Sequence, residues 1–100
     1  MIELRGKNNT ATVFTDNIDE ETIAQVIEVL NQPFAKDNKI KIMPDCHAGK
    51  GCVVGTTMTI KDKIVPNLVG VDIGCGMLTV KLGKMDIDLI KLDRFVRKKI

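Results

Sequence analysis

Aromatic side chains are nearly absent from this chain: its 100 residues include three Phe and no Trp or Tyr. The sequence therefore offers no visible aromatic platform on which the bases of single-stranded nucleic acid would stack. The formal net charge of +2 is also too small to indicate a nucleic-acid or membrane partner by itself. Composition alone predicts neither class of partner.

Long apolar runs and a secretory signal are missing as well. No run approaches the roughly 18 apolar residues of a membrane helix. The first five residues lead directly into polar ones, without the apolar segment of a signal peptide. Three cysteines are an odd and small number for a secreted disulfide scaffold. We therefore expect a cytoplasmic protein with no membrane partner, whose cysteines are free thiols, buried thiols or metal ligands.

What is present is typical of a folded domain, with 44% hydrophobic and 28% charged residues. This length allows one domain at most, or a piece of a larger one. The pattern predicts an α+β fold, with a small mixed or antiparallel sheet and two helices packed on it. Turn residues 6–9 predict that the first two strands form a hairpin. The expected strands are residues 2–4, 10–14, 39–43, 52–60, 64–65 and 77–82.

Two helices are expected. Asn17 or Asp19 caps the first, and Asn31 with Pro33 ends it. Its apolar residues recur at i, i+3, i+4 and i+7, so we expect one face to be buried: Ile23, Val26, Ile27 and Leu30. Asp86 is expected to cap the second helix, which has a basic outer side, and its apolar residues are Ile87, Ile90 and Phe95. Pro44 is expected to stop the third strand, with a loop at residues 45–51.

Glycine is concentrated in one part of the chain: six of the eight glycines lie between Gly49 and Gly76. We expect a functional site there. Such loops allow close backbone approach to a ligand, or simply make tight turns. Within the second loop, Asp72 and Cys75 are three residues apart, a spacing that lets a carboxylate and a thiolate converge on one ion. This mixed pair fits zinc, iron or manganese. The alternative is that Cys75 is a small buried residue.

A second cluster consists of Asp45, Cys46 and His47, the only histidine. In an extended segment Asp45 and His47 share a face, so the carboxylate can orient the ring, and Cys46 points away. His47 is then a base, a metal ligand or a hydrogen-bonded structural residue. Cys46 and Cys52 are expected to be packing residues.

The segment Gly49-Lys50-Gly51 has the backbone and the ammonium group of a phosphate cradle, but the full P-loop pattern and a following helix are absent. A solvated lysine in a turn explains it equally well. The basic side of the second helix is likewise typical of a solvated face. No internal repeat or low-complexity stretch is present.

Two longer motifs identify a family. The segment from Met43 to Gly51, Met-Pro-Asp-Cys-His-Ala-Gly-Lys-Gly, resembles the Met-Pro-Asp-x-His-x-Gly-Lys-Gly signature of RtcB-type RNA ligases. Val65-Pro66, followed by Val-Gly-Val-Asp-Ile-Gly-Cys-Gly-Met at residues 69–77, resembles the second signature of that family. The order and separation of the two motifs also match, and the resemblance extends over the whole chain.

The resemblance implies an enzyme that joins a 2′,3′-cyclic-phosphate or 3′-phosphate RNA end to a 5′-hydroxyl RNA end. It implies dependence on GTP and on two manganese ions, a guanylylated-histidine intermediate, and a role in transfer RNA splicing or RNA repair. The implied partners are RNA (transfer RNA exon halves or broken ends), GTP and an activating protein.

Only some of the residue roles known for the family can be assigned to positions of this chain. Asp72 and Cys75 match the metal-binding Asp and Cys of the family, and the Cys75 thiolate is expected to bridge the two ions. Asp45 matches an acidic residue that orients the nucleophilic histidine, while the role of His47 stays open. The nucleophile, the histidine ligands and the guanine-binding residues of the family have no counterpart among these residues.

We therefore expect residues 1–100 to be the N-terminal part of one RtcB-like catalytic domain, truncated relative to the full enzyme and inactive alone. The alternative is a non-catalytic remnant, a small metal-binding or interaction module. Without the resemblance, a small α+β metal-binding domain would be the best interpretation.

Overall fold

The computed structural model describes all 100 residues, and its ordered centre is one four-stranded mixed sheet. The strands lie in the order β1-β2-β3-β4. β1 and β2 pair antiparallel, β2 and β3 pair parallel, and β3 and β4 pair antiparallel. The α+β class and the mixed sheet are as predicted. The strand bounds are β1 Ile2–Arg5, β2 Thr10–Val13, β3 Ile40–His47 and β4 Val54–Met58.

Helix α1, Glu20–Asn31, connects the two parallel strands and packs against the first two strands of the sheet. Asp19 is its N-cap, and the turn of the β1–β2 hairpin is bonded to its C-terminal end. The backbone amide of Asn8 donates to the Leu30 carbonyl at 3.0 Å, and the Asn8 side chain donates to the Asn31 carbonyl at 2.6 Å. These bonds satisfy carbonyls that a helix end otherwise leaves without partners.

The buried face of α1 differs from the predicted one. Val26 and Leu30 are buried as expected, but the third buried residue is Thr22, while Ile23 and Ile27 are only half-buried. The Thr22 hydroxyl can be buried because it donates to the Asp19 carboxylate at 2.8 Å. The hydrophobic core, shared by α1, the two central strands and the segments next to β3 and β4, consists of Ala11, Val13, Val26, Leu30, Ala35, Ile40, Ile42 and Val53.

β3 continues through Pro44, which was predicted to end it. Its register with β4 shifts at this point: Ile42 pairs with Thr56, and the next pair is His47 with Val54. Four residues of β3 thus face the single residue Gly55, whose φ of +92° favours glycine. Proline has no amide to donate, so a segment outside the ladder tolerates it. The bulge therefore explains how residues 45–47 belong to a strand rather than to the predicted loop.

The chain beyond β4 contains no further strand, so the predicted strands at residues 64–65 and 77–82 are wrong. Strand residues need a neighbouring strand to satisfy their amides and carbonyls, and this segment pairs with neither edge strand of the sheet. Met77 and Leu78 are 91% and 93% exposed. The radius of gyration of 17.2 Å exceeds the roughly 13 Å typical of 100 compact residues, in agreement with the exposure of much of the chain after β4.

The second helix is α2, Leu89–Lys99, and Asp88 rather than Asp86 caps it. The Asp88 carboxylate accepts from the amides of Ile90 and Lys91 at 3.1 and 3.0 Å. Ile87 precedes the helix, and Ile90 and Phe95 are 67% and 59% exposed. The predicted packing of this helix on the sheet is therefore not observed. Neither α1 nor α2 combines the length and the apolar character that crossing a membrane requires.

The Asp19 cap should make stability depend on acid pH. Hydrogen bonds from the Thr22 amide and hydroxyl lower the pKa of Asp19 below its ordinary 3.8. The charged cap therefore contributes its full stabilisation at pH values above 3.8, the ordinary pKa. This contribution is lost as the pH falls through the lowered pKa of the folded state. We expect the difference in unfolding free energy between the parent and Asp19→Asn to shrink over that range.

Urea unfolding followed by circular dichroism, in a pH series from neutral to below 3.8, measures this difference. Asp62→Asn is the matched control, because Asp62 lies in an exposed turn with a φ of +54° that Asn also adopts. A difference between parent and Asp19→Asn that does not vary with pH would contradict the assignment.

Candidate metal centre

Asp72 and Cys75 are brought together by a tight turn. The Cys75 amide donates to the Asp72 carbonyl at 3.3 Å, which closes a four-residue β-turn. Gly74 occupies the third position of this turn with a φ of +92°, a conformation that side chains other than glycine rarely adopt. The sequence Asp-Ile-Gly-Cys therefore folds so that its first and last residues are neighbours.

The two side chains of this turn interact. The Asp72 carboxylate raises the pKa of the Cys75 thiol above its ordinary 9.0, first by hydrogen bonding to the protonated thiol and second by repelling the thiolate charge. The thiol is therefore protonated at neutral pH. A divalent cation between the two groups would have to displace this proton, so its binding should strengthen as the pH rises.

Both residues line a pocket of about 630 Å³ between the sheet and the segment after β4. The strand β3 and the following loop contribute His47 and Lys50 to the same pocket, and Cys52 lies on its wall with Sγ 3.7 Å from the Leu68 carbonyl oxygen. The structure thus places residues from both sequence motifs around one cavity, although more than twenty residues separate them in the chain.

The glycine loop between β3 and β4 is fixed to helix α1 by a residue that sequence reasoning missed. The side chain of Gln25 donates to the Gly49 carbonyl at 3.2 Å and accepts from the Gly49 amide at 3.1 Å. No motif contains Gln25, and its position beside an apolar helix face gave no signal. Only the folded arrangement of helix and loop reveals this contact.

The comparisons with known proteins agree with these motifs. The family model of the tRNA-splicing ligase RtcB matches residues 25–100, about three quarters of the chain. The chain belongs to the RtcB family. It is 36% identical over 88 residues to the RNA-splicing ligase RtcB1 of one Escherichia coli strain, and equally to the RNA-splicing ligase RtcB of strain K12. No solved structure matches it.

Each of these RtcB alignments covers 86% of this chain but 21% of the relative. The chain therefore spans about a fifth of the length of the curated RtcB ligases that it matches. The match therefore shows family membership and does not extend to the other four fifths of these ligases.

In this RtcB-family chain, Asp45 and His47 are both exposed residues of β3. The His47 ring Nδ1 lies 3.0 Å from the backbone carbonyl oxygen of Asp45 rather than from its carboxylate. The pair therefore holds the ring through the main chain, and the Asp45 carboxylate remains available to another group. The roles of both residues stay predictions.

The other two cysteines differ from each other. Cys46 packs against the hydrophobic core. Burial raises the pKa of its thiol, a backbone hydrogen bond opposes this effect, and the nearby carboxylates add to it. Cys52 lies on the wall of the pocket instead of in the core. All three cysteines are free thiols.

The residues around the Asp72–Cys75 turn fit a divalent cation only in part. One thiol and one carboxylate on a single turn suit a cation of intermediate softness, such as manganese, iron or zinc. No group of three or more His, Cys, Asp or Glu side chains stands close enough together to hold an ion. Asp72 and Cys75 could thus supply two ligands, and a complete coordination shell would need further groups.

Proposed function

We propose that this chain forms the N-terminal part of an RNA ligase that joins 2′,3′-cyclic-phosphate or 3′-phosphate ends to 5′-hydroxyl ends, using GTP and manganese. The observation that carries the proposal is the turn that places Asp72 and Cys75 side by side in a pocket. Membership of the RtcB family supplies the reaction class. Transfer RNA splicing or RNA repair in the cytoplasm is the proposed setting.

Three residues of this chain have roles in the proposed reaction: Asp72, Cys75 and Asp45. Asp72 and Cys75 would hold the metal, which supplies positive charge to offset the charge that develops on the reacting phosphate oxygens. Asp45, exposed in the bulge of β3, would orient the nucleophilic histidine that the reaction needs. His47 is the only histidine in the chain, and its ring is already held by the Asp45 carbonyl. We therefore place the nucleophile and further ligands outside these residues.

The alternative function is a small non-catalytic module that binds metal or a partner. It is favoured by the incomplete ligand set, because two donors alone do not make a complete catalytic metal site. The two proposals differ in the expected role of Asp72 and Cys75 in a longer protein that contains these residues. If the chain is part of the ligase, RNA joining requires both residues. If it is a non-catalytic module, RNA joining does not depend on them.

The isolated 100-residue chain is expected not to ligate RNA and not to form a stable covalent GMP adduct. The physical reason is the lack of a free nucleophilic histidine and of a complete ligand set. The assay incubates the chain with a 2′,3′-cyclic-phosphate RNA, a 5′-hydroxyl RNA, GTP and manganese, and resolves the products on a denaturing gel. An active RtcB ligase is the positive control. RNA joining that depends on the isolated chain would contradict the proposal that the nucleophile and further ligands lie outside these residues.

A further inference from the structure

Two hydrogen bonds join the Gln25 side chain to the Gly49 backbone, and we call this pair of bonds the clasp. The clasp joins two parts of the fold that no strand pairing connects. Gln25 lies on helix α1, and Gly49 lies in the loop between β3 and β4. The glutamine amide uses its donor and its acceptor on the two backbone groups of one residue, at 3.2 and 3.1 Å. Two such bonds fix the orientation of the loop as well as its distance from the helix.

The loop at Gly49 is also closely packed. A Cβ atom at this position would lie 2.5 Å from the Cys52 carbonyl oxygen and 3.0 Å from a methyl group of Val54. The two sides of the loop can therefore approach each other this closely only with glycine at position 49. The clasp and this close approach act on the same residue, so a shift of the Gln25 amide would move the loop.

The residue that follows Gly49 belongs to the pocket of the candidate metal centre. Lys50 lines the pocket that contains Asp72 and Cys75, and it is the one Lys or Arg among the residues of that pocket. Its ammonium group offers three hydrogen-bond donors and a positive charge to a phosphate group. The position of this charge depends on the backbone that Gln25 holds.

We propose that Gln25 is a positioning residue, which holds the glycine loop so that Lys50 can contact the terminal phosphate of an RNA 3′ end in the pocket. This inference rests on the proposed ligase function for the identity of the ligand. A charge that is held in place before the substrate binds stabilises a phosphate better than one on a loop that must first be ordered. Gln25 contacts neither the pocket nor the phosphate and acts only through the loop.

The first test measures the clasp without any catalysis. Amide hydrogen exchange at Gly49 is followed by NMR in the 100-residue chain, in Gln25→Met and in Gln25→Glu. Met keeps the size of the side chain without either hydrogen bond, and we expect exchange at Gly49 to accelerate roughly tenfold. Glu keeps only the acceptor and should give a smaller change.

The matched control is Gln32→Ala, because Gln32 directly follows α1 and its side chain bonds only to the Glu28 carbonyl of that helix. This variant should leave exchange at Gly49 unchanged. The amide of Val13, in the central strand β2, reports on the fold in every variant. Unchanged exchange at Gly49 in Gln25→Met, with Val13 still protected, would overturn the clasp.

The second test measures the consequence in a full-length ligase that contains these residues. We expect Gln25→Met to raise the KM for the 3′-phosphate RNA severalfold and to change kcat less. If Gln25 acts through Lys50, the double variant Gln25→Met/Lys50→Met should be no weaker than Lys50→Met. Additive losses would overturn the route through Lys50. Absence of RNA joining by the parent protein would overturn the proposed function, while the exchange at Gly49 would still decide the clasp.

Discussion

Replacing Cys75 with alanine, in the full-length ligase of which we propose this chain forms part, is expected to abolish RNA joining. The loss should be at least about a hundredfold, comparable to removal of a group that stabilises charge in a transition state. Cys75 shares a turn and a pocket with Asp72, and its sulfur is the softer donor of the pair. Asp72→Ala should lose nearly as much activity.

The assay for this prediction combines a joining reaction with a manganese titration followed by electron paramagnetic resonance. Cys46→Ala is the matched control, since it removes a thiol that packs against the core instead of facing the pocket, and it should keep activity within a few fold. A Cys75→Ala ligase that joins RNA at the parental rate with manganese would remove Cys75 from the metal centre.

Replacing Val26 with aspartate is expected to unfold the 100-residue chain. Val26 is 2% exposed and lies in a core of only eight buried apolar residues. A buried carboxylate without a partner costs several kcal/mol, and such changes exceed about 4 kcal/mol. Folded domains have a total stability of about 5–15 kcal/mol, and with so small a core we expect the low end of this range, of which the loss removes most or all.

Two variants on the same helix calibrate this result in urea unfolding experiments. Ala24→Asp, on the exposed side of α1, should cost less than about 1 kcal/mol, the range of helix propensities. Ile27→Asp should fall between the two, because Ile27 is only half-buried, although its spacing had predicted a full core position. Equal losses for Val26→Asp and Ala24→Asp would show that this face of α1 is not the core face.

The sequence by itself determined those features that depend on neighbouring residues. The hairpin of β1 and β2 follows from turn residues between two short strand patterns, and α1 follows from its apolar periodicity between Asp19 and Pro33. The turn of Asp72 and Cys75 belongs to the same group, because Gly74 supplies a local conformation. The two motifs also identified the family without any structure.

Tertiary structure decided everything that depends on what an element contacts. The choice of Thr22 over Ile23 and Ile27 for the core depends on how α1 is rotated against the sheet, and periodicity does not distinguish adjacent stripes of one helix. The strand pattern at residues 77–82 gave a wrong prediction, because alternation describes a strand only where another strand pairs with it. The clasp between Gln25 and Gly49 joins residues 24 positions apart, and only folding brings an unremarkable glutamine to the loop beside the pocket.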